Sequence, residues 1–112
     1  MEQVLGVHHI AELCECNGDF LNDSDFISES LRKAVEHANA TLIEEVRYEF
    51  TPQGITAVCL LSESHISIHT WPEEGKAAVD VYTCGNCNPK IGCDIIIQQL
   101  YATNHTLSYI ER

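Results

Sequence analysis

The stretch LSESHISIHTWPEEGKAAVDVYTCGNC, residues 61–87, carries the clearest structural pattern in this chain. Two β-rich runs flank a Pro-Glu-Glu-Gly segment, and this arrangement is typical of a β-hairpin. If residues 72–75 form the connection, Trp71 pairs with Lys76 and the two strands run antiparallel. A hairpin of this length needs further strands beside it, since an isolated two-stranded ribbon is marginally stable in water.

The rest of the chain predicts more strands and two amphipathic helices. Strand patterns cover residues 4–14, 41–50, 55–63 and 105–111. A helical period begins near Ser24 and runs to about residue 39, with an apolar face made of Ile27, Leu31, Ala34, Val35 and Ala38. Pro89 suits the first turn of a second helix, whose predicted apolar face consists of Ile91, Ile95, Ile96, Leu100 and Tyr101.

This order of elements predicts a single α+β domain over residues 1–112. Strands joined by short turns give a largely antiparallel sheet, and two helices suffice to cover one face of it. The expected architecture is therefore a two-layer sandwich. The uncovered sheet face needs either solvent or a second subunit, so we expect a homodimer.

Charge and cysteine content exclude several classes of function. Six Lys and Arg against 17 Asp and Glu give a formal charge of -11, so no basic stripe is present to bind nucleic acid. No apolar run approaches the roughly 18 residues of a membrane span, and no signal peptide is evident. We expect a cytoplasmic protein whose six cysteines are free thiols.

The first strand of the hairpin carries several polar side chains: Ser62, Ser64, His65, Ser67 and His69. Continuing the pairing outward sets Glu63 opposite Cys84, so the thiol should lie next to the Glu63–Ser64 peptide bond. Strict alternation puts Ser64 and His69 on opposite faces, and only a bulge or break near Ser64 would bring them together. These residues could simply face solvent. However, serine, histidine and cysteine on one short hairpin can all exchange protons, which favours chemistry.

The same hairpin closely resembles the processing and active-site segment of the small prokaryotic S-adenosylmethionine decarboxylases. The resemblance lies in the motifs SESH (62–65), IHTWPE (68–73) and AVDVYTCG (78–85). It extends over nearly the whole chain, since further positions fall in register: Leu5, Gly6, His8, Ala11, Glu12, Pro52, Gly54 and Val58. A run of this length is a specific signal, whereas a lone Ser-His pair would not be.

The resemblance implies a self-processing enzyme that carries a covalent pyruvoyl group in place of pyridoxal phosphate. Ser64 would attack the carbonyl of Glu63, and elimination would yield a β chain of residues 1–63 and an α chain of residues 64–112. His69 would accept the proton removed in elimination. The group formed from Ser64 would bind the substrate's α-amino group as a Schiff base. Cys84 would return a proton to the substrate's α-carbon.

The implied small-molecule substrate is S-adenosylmethionine, whose decarboxylated product donates aminopropyl groups in spermidine and polyamine synthesis. Phe50 and Trp71 could hold the adenine, Glu73 could bind the ribose hydroxyls, and no metal ion is expected. Thr56 stands where the family usually has a serine that assists processing. Val7 stands where an arginine is common. These two departures from the family pattern bear on processing efficiency and substrate choice.

Other interpretations remain open at the level of sequence. Pyruvoyl enzymes on related scaffolds decarboxylate arginine or ornithine, and fold does not fix substrate. A zinc-binding module could use the cysteines of the C-x-C and C-x-x-C motifs, Cys14, Cys16, Cys84 and Cys87, although the C-x-C spacing is tight for a ligand pair. The C-x-x-C motif could also be a redox dithiol. A relative that has lost processing would keep the fold and fail to cleave.

Overall fold

The computed structural model describes residues 4–112, which form one six-stranded sheet and its helical cover. The strands are β1 (Val7–Cys14), β2 (Leu42–Glu49), β3 (Ile55–Leu61), β4 (Ser64–Trp71), β5 (Lys76–Thr83) and β6 (Asn104–Glu111). The helices are α1 (Gly18–Leu21), α2 (Ser24–His37) and α3 (Pro89–Gln99), and a 3-10 turn covers Pro72–Glu74.

All neighbouring strands are antiparallel, in the order β2-β3-β4-β5-β1-β6. Trp71 pairs with Lys76 across the hairpin, as its sequence predicts. The two long helices pack against each other, with α2 over β2 and β3 and α3 over β5 and β1. The prediction of an α+β two-layer sandwich is thus confirmed.

Local signals set the beginning of each long helix. The side chain of Asp23 accepts a hydrogen bond from the Phe26 amide at 3.0 Å and caps α2. Asn88 caps α3 in the same way through the Ile91 amide at 3.2 Å. Pro89 follows it at the first helical position, where its missing N–H breaks no hydrogen bond.

The covered face of the sheet carries the core. On β4 and β5 the buried residues alternate with more exposed ones, so Ile66 and Ile68 face the helices together with Val79 and Val81. The helices contribute further fully buried side chains: Ile27, Leu31, Ala34, Ile96 and Leu100.

The predicted apolar face of α3 is partly wrong. Ile91 is 39% exposed and Tyr101 is 66% exposed. The buried residues of α3 and its C-cap are instead Pro89, Gly92, Cys93, Ile96 and Leu100. Gly92 has no side chain, and a Cβ there would lie 3.6 Å from Val81, so this face of the helix approaches the sheet closely and turns Ile91 outward.

The edge strand β2 directs its charged side toward the helices. The Glu45 side chain is 6% exposed and accepts hydrogen bonds from the Ser28 hydroxyl at 2.8 and 2.7 Å. Arg32 and Arg47 each approach its carboxylate at 3.3 Å. The apolar side chains of this segment, Val46, Tyr48 and Phe50, are exposed instead. Paired charges therefore take the place of apolar packing at this edge.

The other face of the sheet carries no helix in the part of the chain that the structure describes. Large apolar side chains are exposed there along β2, β3, β4 and β6, namely Val46, Val58, Leu60, Trp71 and Ile110. We call this surface the open face. Separately, no helix within residues 4–112 is long and apolar enough to cross a membrane.

Candidate active site

The turn between β3 and β4 places Ser64 in an unfavourable backbone conformation. Its φ angle is 151°, a value that residues with a side chain rarely adopt. Immediately before it, the Glu63 carboxylate accepts a hydrogen bond from the Thr41 amide at 2.9 Å, and this bond lowers the pKa of Glu63. The chain is thus anchored on one side of the Glu63–Ser64 bond and strained on the other.

The Cys84 thiol lies on the carbonyl of that same peptide bond. Ser64 pairs with Thr83 across the hairpin, and the Cys84 Sγ donates to the Glu63 carbonyl oxygen at 3.2 Å. Cys84 is exposed and follows directly after β5. The register read from the sequence therefore correctly brings the thiol to the Glu63–Ser64 bond.

A cluster of ring side chains lies beside Ser64 on the open face. Ser64 Oγ is 3.4 Å from His65 Nδ1, and the His65 ring lies 6.3 Å from that of His8 and 6.0 Å from that of Tyr82. His8 Nε2 is 3.0 Å from an Asp80 carboxylate oxygen. Sequence reasoning gave no role to these neighbours. Their shared face could have been found by extending the hairpin register, which sets His65 opposite Tyr82.

The other end of β4 holds a second group of candidate residues. Thr56 Oγ1 and His69 Nδ1 are 2.8 Å apart, as residues that pair directly across β3 and β4. They line a cavity of about 390 Å³ together with Phe50, Trp71 and Glu73. All three substrate-contact candidates therefore share one cavity with the Thr56–His69 pair.

These two groups do not meet within one chain. Ser64 and His69 are five residues apart on a continuous strand, a separation of roughly 16 Å at about 3.3 Å per residue. A break near Ser64 is present in the backbone, but it does not bring His69 to the serine. In a single chain, Ser64, Glu63 and Cys84 are assembled, whereas Thr56 and His69 form a separate pair.

A narrow cavity of about 130 Å³ adjoins Cys84 and is partly lined by Gly6 and Val7. Gly6 cannot be replaced by a larger residue without a shift, because an added Cβ would lie 2.6 Å from the Thr83 carbonyl oxygen. Val7 also borders this cavity, and its side chain is apolar.

The C-x-C and C-x-x-C motifs lie at opposite ends of the sheet. The Cys16 amide donates to the Gly75 carbonyl at the start of β5, whereas Cys84 and Cys87 follow the end of β5. Within residues 4–112, no group of three or more His, Cys, Asp or Glu side chains is arranged to hold a metal ion. The four-cysteine zinc interpretation therefore has no ligand set, because a strand of eight residues separates its halves.

Fold and site define an antiparallel α+β sandwich in which a strained serine and an adjacent thiol share one hairpin. A family model described as S-adenosylmethionine decarboxylase matches residues 7–112. The chain therefore belongs to the S-adenosylmethionine decarboxylase family, and the family resemblance read from the sequence is confirmed.

Individual relatives agree over nearly the full length. The chain is 46% identical over 110 residues to the S-adenosylmethionine decarboxylase proenzyme of Prochlorococcus marinus (strain MIT 9211), covering 97% of this chain and 90% of that protein. It is 44% identical over 109 residues to the proenzyme of that name from Clostridium kluyveri (strain ATCC 8527), covering 96% and 86%. The crystal structure of the adenosylmethionine decarboxylase from Aquifex aeolicus VF5 superposes with a TM-score of 0.92 and 43% identity, covering 99% of this chain and 92% of that one.

Proposed function

We propose that this protein is a self-processing, pyruvoyl-dependent decarboxylase of S-adenosylmethionine. Cleavage between Glu63 and Ser64 would yield a β chain of residues 1–63 and an α chain of residues 64–112. The observation that carries the proposal is the contact between the Cys84 thiol and the Glu63 carbonyl oxygen, 3.2 Å, at a serine with φ 151°. A serine held at a strained φ, next to a carbonyl that accepts a hydrogen bond, is poised to attack that carbonyl through its hydroxyl.

Cleavage begins when Ser64 Oγ attacks the Glu63 carbonyl carbon and converts the amide into an ester. Negative charge develops on the carbonyl oxygen, and the Cys84 thiol donates a hydrogen bond to that atom. Cleavage would also release the backbone strain at Ser64. His69 then removes the Cα proton of Ser64, and the main-chain carboxylate of Glu63 leaves with the β chain. Water hydrolyses the resulting dehydroalanine to the pyruvoyl group, and the former Ser64 nitrogen leaves as ammonia.

The residues around Ser64 fit the pyruvoyl group that this cleavage would leave at the start of the α chain. That group supplies an electron sink for decarboxylation through its bond to the substrate amine. Cys84 is the proton donor for the substrate's α-carbon, because its thiol is exposed and already lies at the bond where the group forms. Among the neighbouring thiols, the pKa of Cys87 is raised, chiefly by burial, so Cys87 is the less suited to exchange protons.

The site requires two copies of the chain. His69 lies roughly 16 Å from Ser64 of its own chain at about 3.3 Å per residue, too far for proton transfer. His65, next to Ser64, and His69 lie on the same uncovered face, and a two-fold axis on that face would bring each Ser64 to His69 of the partner subunit. The exposed apolar side chains Val58 and Leu60 lie between them and would be buried in such a homodimer.

The cavity beside His69 suits an adenosyl substrate. Phe50 and Trp71 supply exposed aromatic rings on which adenine can stack, and the Glu73 carboxylate can accept hydrogen bonds from ribose hydroxyls. The net charge of -11 also favours a cationic sulfonium. Arginine and ornithine carry no ring to stack there, and the curated relatives are named for S-adenosylmethionine, so we favour the adenosyl substrate over these amino acids.

The product would serve as the aminopropyl donor in spermidine and polyamine synthesis. We place the reaction in the cytoplasm, since all six cysteines are unpaired within the described chain, which suits a reducing compartment.

The first test is an intact mass spectrum of the purified protein under denaturing conditions. We expect two fragments that divide between Glu63 and Ser64, with the second bearing the pyruvoyl mass. The Ser64→Ala variant is the matched control and should remain a single chain without activity. A wild-type chain that stays whole after prolonged incubation, or a Ser64→Ala variant that still releases carbon dioxide, would refute the mechanism. Carbon dioxide release from S-adenosylmethionine, arginine and ornithine in parallel then decides the substrate.

A further inference from the structure

We propose that His65, not His69, accepts the hydroxyl proton of Ser64 when cleavage begins, and that the His8–Asp80 pair holds the His65 ring in position. This inference rests on the proposed function, because it concerns the first step of the same self-cleavage. It divides the proton transfers between two histidines: His65 of the same chain before the ester forms, and His69 of the partner subunit afterwards.

Among the described residues, one imidazole contacts the attacking atom. His65 Nδ1 lies 3.4 Å from Ser64 Oγ, whereas His69 is occupied by a 2.8 Å hydrogen bond with Thr56 at the far end of the strand. A general base must lie within hydrogen-bond reach of the proton that it removes, and such contacts often tighten as the reaction proceeds. The geometry therefore assigns the hydroxyl proton to His65.

The His65 ring is contacted by ring side chains from β1 and β5. His8 from β1 packs edge-on against it, with an interplanar angle of 73°, and Tyr82 from β5 lies tilted on it at 55°. The guanidinium of Arg112 lies 5.1 Å from the centre of the Tyr82 ring and closes the cluster from the chain terminus. Packing on these sides restricts the rotation of His65 and keeps Nδ1 toward the serine.

The Asp80 carboxylate fixes the orientation of His8. One carboxylate oxygen lies 3.0 Å from His8 Nε2, and the other accepts a hydrogen bond from the Ser67 hydroxyl at 3.3 Å. A histidine that donates one ring N–H to a carboxylate is held in one tautomer and one orientation. Because His8 packs directly against His65, Asp80 is a positioning residue that acts through two rings.

The proposed step balances without any further reactant. Ser64 Oγ forms a bond to the Glu63 carbonyl carbon, the bond from that carbon to the Ser64 nitrogen breaks, and the hydroxyl proton passes to His65 Nδ1. The same proton is then delivered to the departing Ser64 amine, which belongs to the residue adjacent to the ring. The products are an ester and a free amine, and His65 is returned to its neutral form.

The test separates the steps before and after the ester by trapping with hydroxylamine, which cleaves esters but leaves amides intact. His69→Asn should accumulate the ester, so hydroxylamine should split that variant quickly. His65→Asn should form the ester slowly, with cleavage reduced about 10²-fold as expected for a lost general base. Hydroxylamine should then give little additional cleavage. His105→Asn, an exposed histidine on β6, is the matched control and should cleave at the wild-type rate.

Chemical rescue distinguishes a proton acceptor from a packing residue. In His65→Gly, added imidazole should restore cleavage in proportion to its concentration, while the far-ultraviolet circular dichroism of both His65 variants should match that of Ser64→Ala. Asp80→Asn should slow cleavage about 10-fold when His65 is present. It should add nothing in the His65→Asn background, since contacts that act through one residue are not additive.

Three results would overturn the inference. They are a His65→Asn variant that cleaves at the wild-type rate, one whose slow cleavage hydroxylamine relieves, and a His65→Gly variant that imidazole does not restore. Each leaves the proposed function intact as long as the wild-type protein divides at Glu63–Ser64. A wild-type protein that never divides would instead remove the proposed function itself.

Discussion

The two faces of the sheet carry opposite kinds of residue on the same strands. On β4, Ile66 and Ile68 are buried under the helices, while His65 and His69, which flank them in sequence, lie on the open face. The period of two along a strand thus supports stability on one side and chemistry on the other. Substitutions on the covered face should change the free energy of unfolding, and substitutions on the open face should change cleavage.

The largest expected effect concerns the open face and two copies of the chain. Ser64→Ala and His69→Ala should each fail to complete cleavage alone. Coexpressed, they should yield cleaved α chain from the His69→Ala copy, since a mixed dimer contains one intact pair of Ser64 and His69. Mass spectrometry of the mixture measures this. If no cleavage appeared in a mixture proven to contain mixed dimers, the site would not be shared between subunits.

A truncation in the core should lower stability and leave cleavage intact. Ile68→Ala removes a fully buried side chain and should lower the free energy of unfolding by about 2–5 kcal/mol. The folded variant should still divide at Glu63–Ser64, because Ile68 faces away from the reacting atoms. Urea denaturation followed by mass spectrometry checks both parts. Loss of cleavage in a folded Ile68→Ala protein would mean that the two faces are coupled.

Removal of the thiol should alter the products more than the stability. Cys84→Ala loses the hydrogen bond to the Glu63 carbonyl, so cleavage should slow, by about 10-fold or more for one such donor. In the processed enzyme, protonation at the wrong carbon should consume the pyruvoyl group during turnover. The ratio of product formed to cofactor lost measures this effect. A normal ratio would remove Cys84 from the proton-donor role.

The smallest expected effect concerns a buried histidine on the covered face. His9 is 9% exposed, its Nδ1 has no hydrogen-bond partner among the described residues, and it stacks on Tyr109. Burial, followed by the charge of Lys90, lowers the pKa of His9. As pH falls, the unfolded chain therefore takes up this proton before the folded protein does. With respect to His9, the free energy of unfolding is highest above pH 6.5 and decreases as pH drops through the folded pKa.

His9→Leu should remove that pH dependence and raise the free energy of unfolding at neutral pH by about 1 kcal/mol, because it eliminates an unpaired buried nitrogen. Denaturation of wild type, His9→Leu and the exposed control His105→Asn at pH 7 and at pH 5.5 tests this. An unchanged difference between the two pH values in His9→Leu would contradict the assignment.

Most of the fold could be predicted from periodicity. Alternation gave the strands, a period near 3.6 gave α2, and the Pro-Glu-Glu-Gly turn fixed the register that brings Cys84 to Glu63. The inward face of α3 could not be predicted, because it depends on Gly92 approaching Val81. The same limit applies to β2, where the choice between Glu45 and Val46 as the inward residue depends on Ser28 and the two arginines around it.

The sequence by itself determined the hairpin, its register and the family, since these depend on local pattern and on motifs that are contiguous along the chain. Only the tertiary structure decided which residues meet Ser64. Strand spacing separates His69 from it, while β1 and β5 bring His8, Tyr82 and Asp80 to the His65 beside it. Residues distant in sequence become neighbours only when strands pair across the sheet, because each hydrogen-bonded register fixes which side chains share a face.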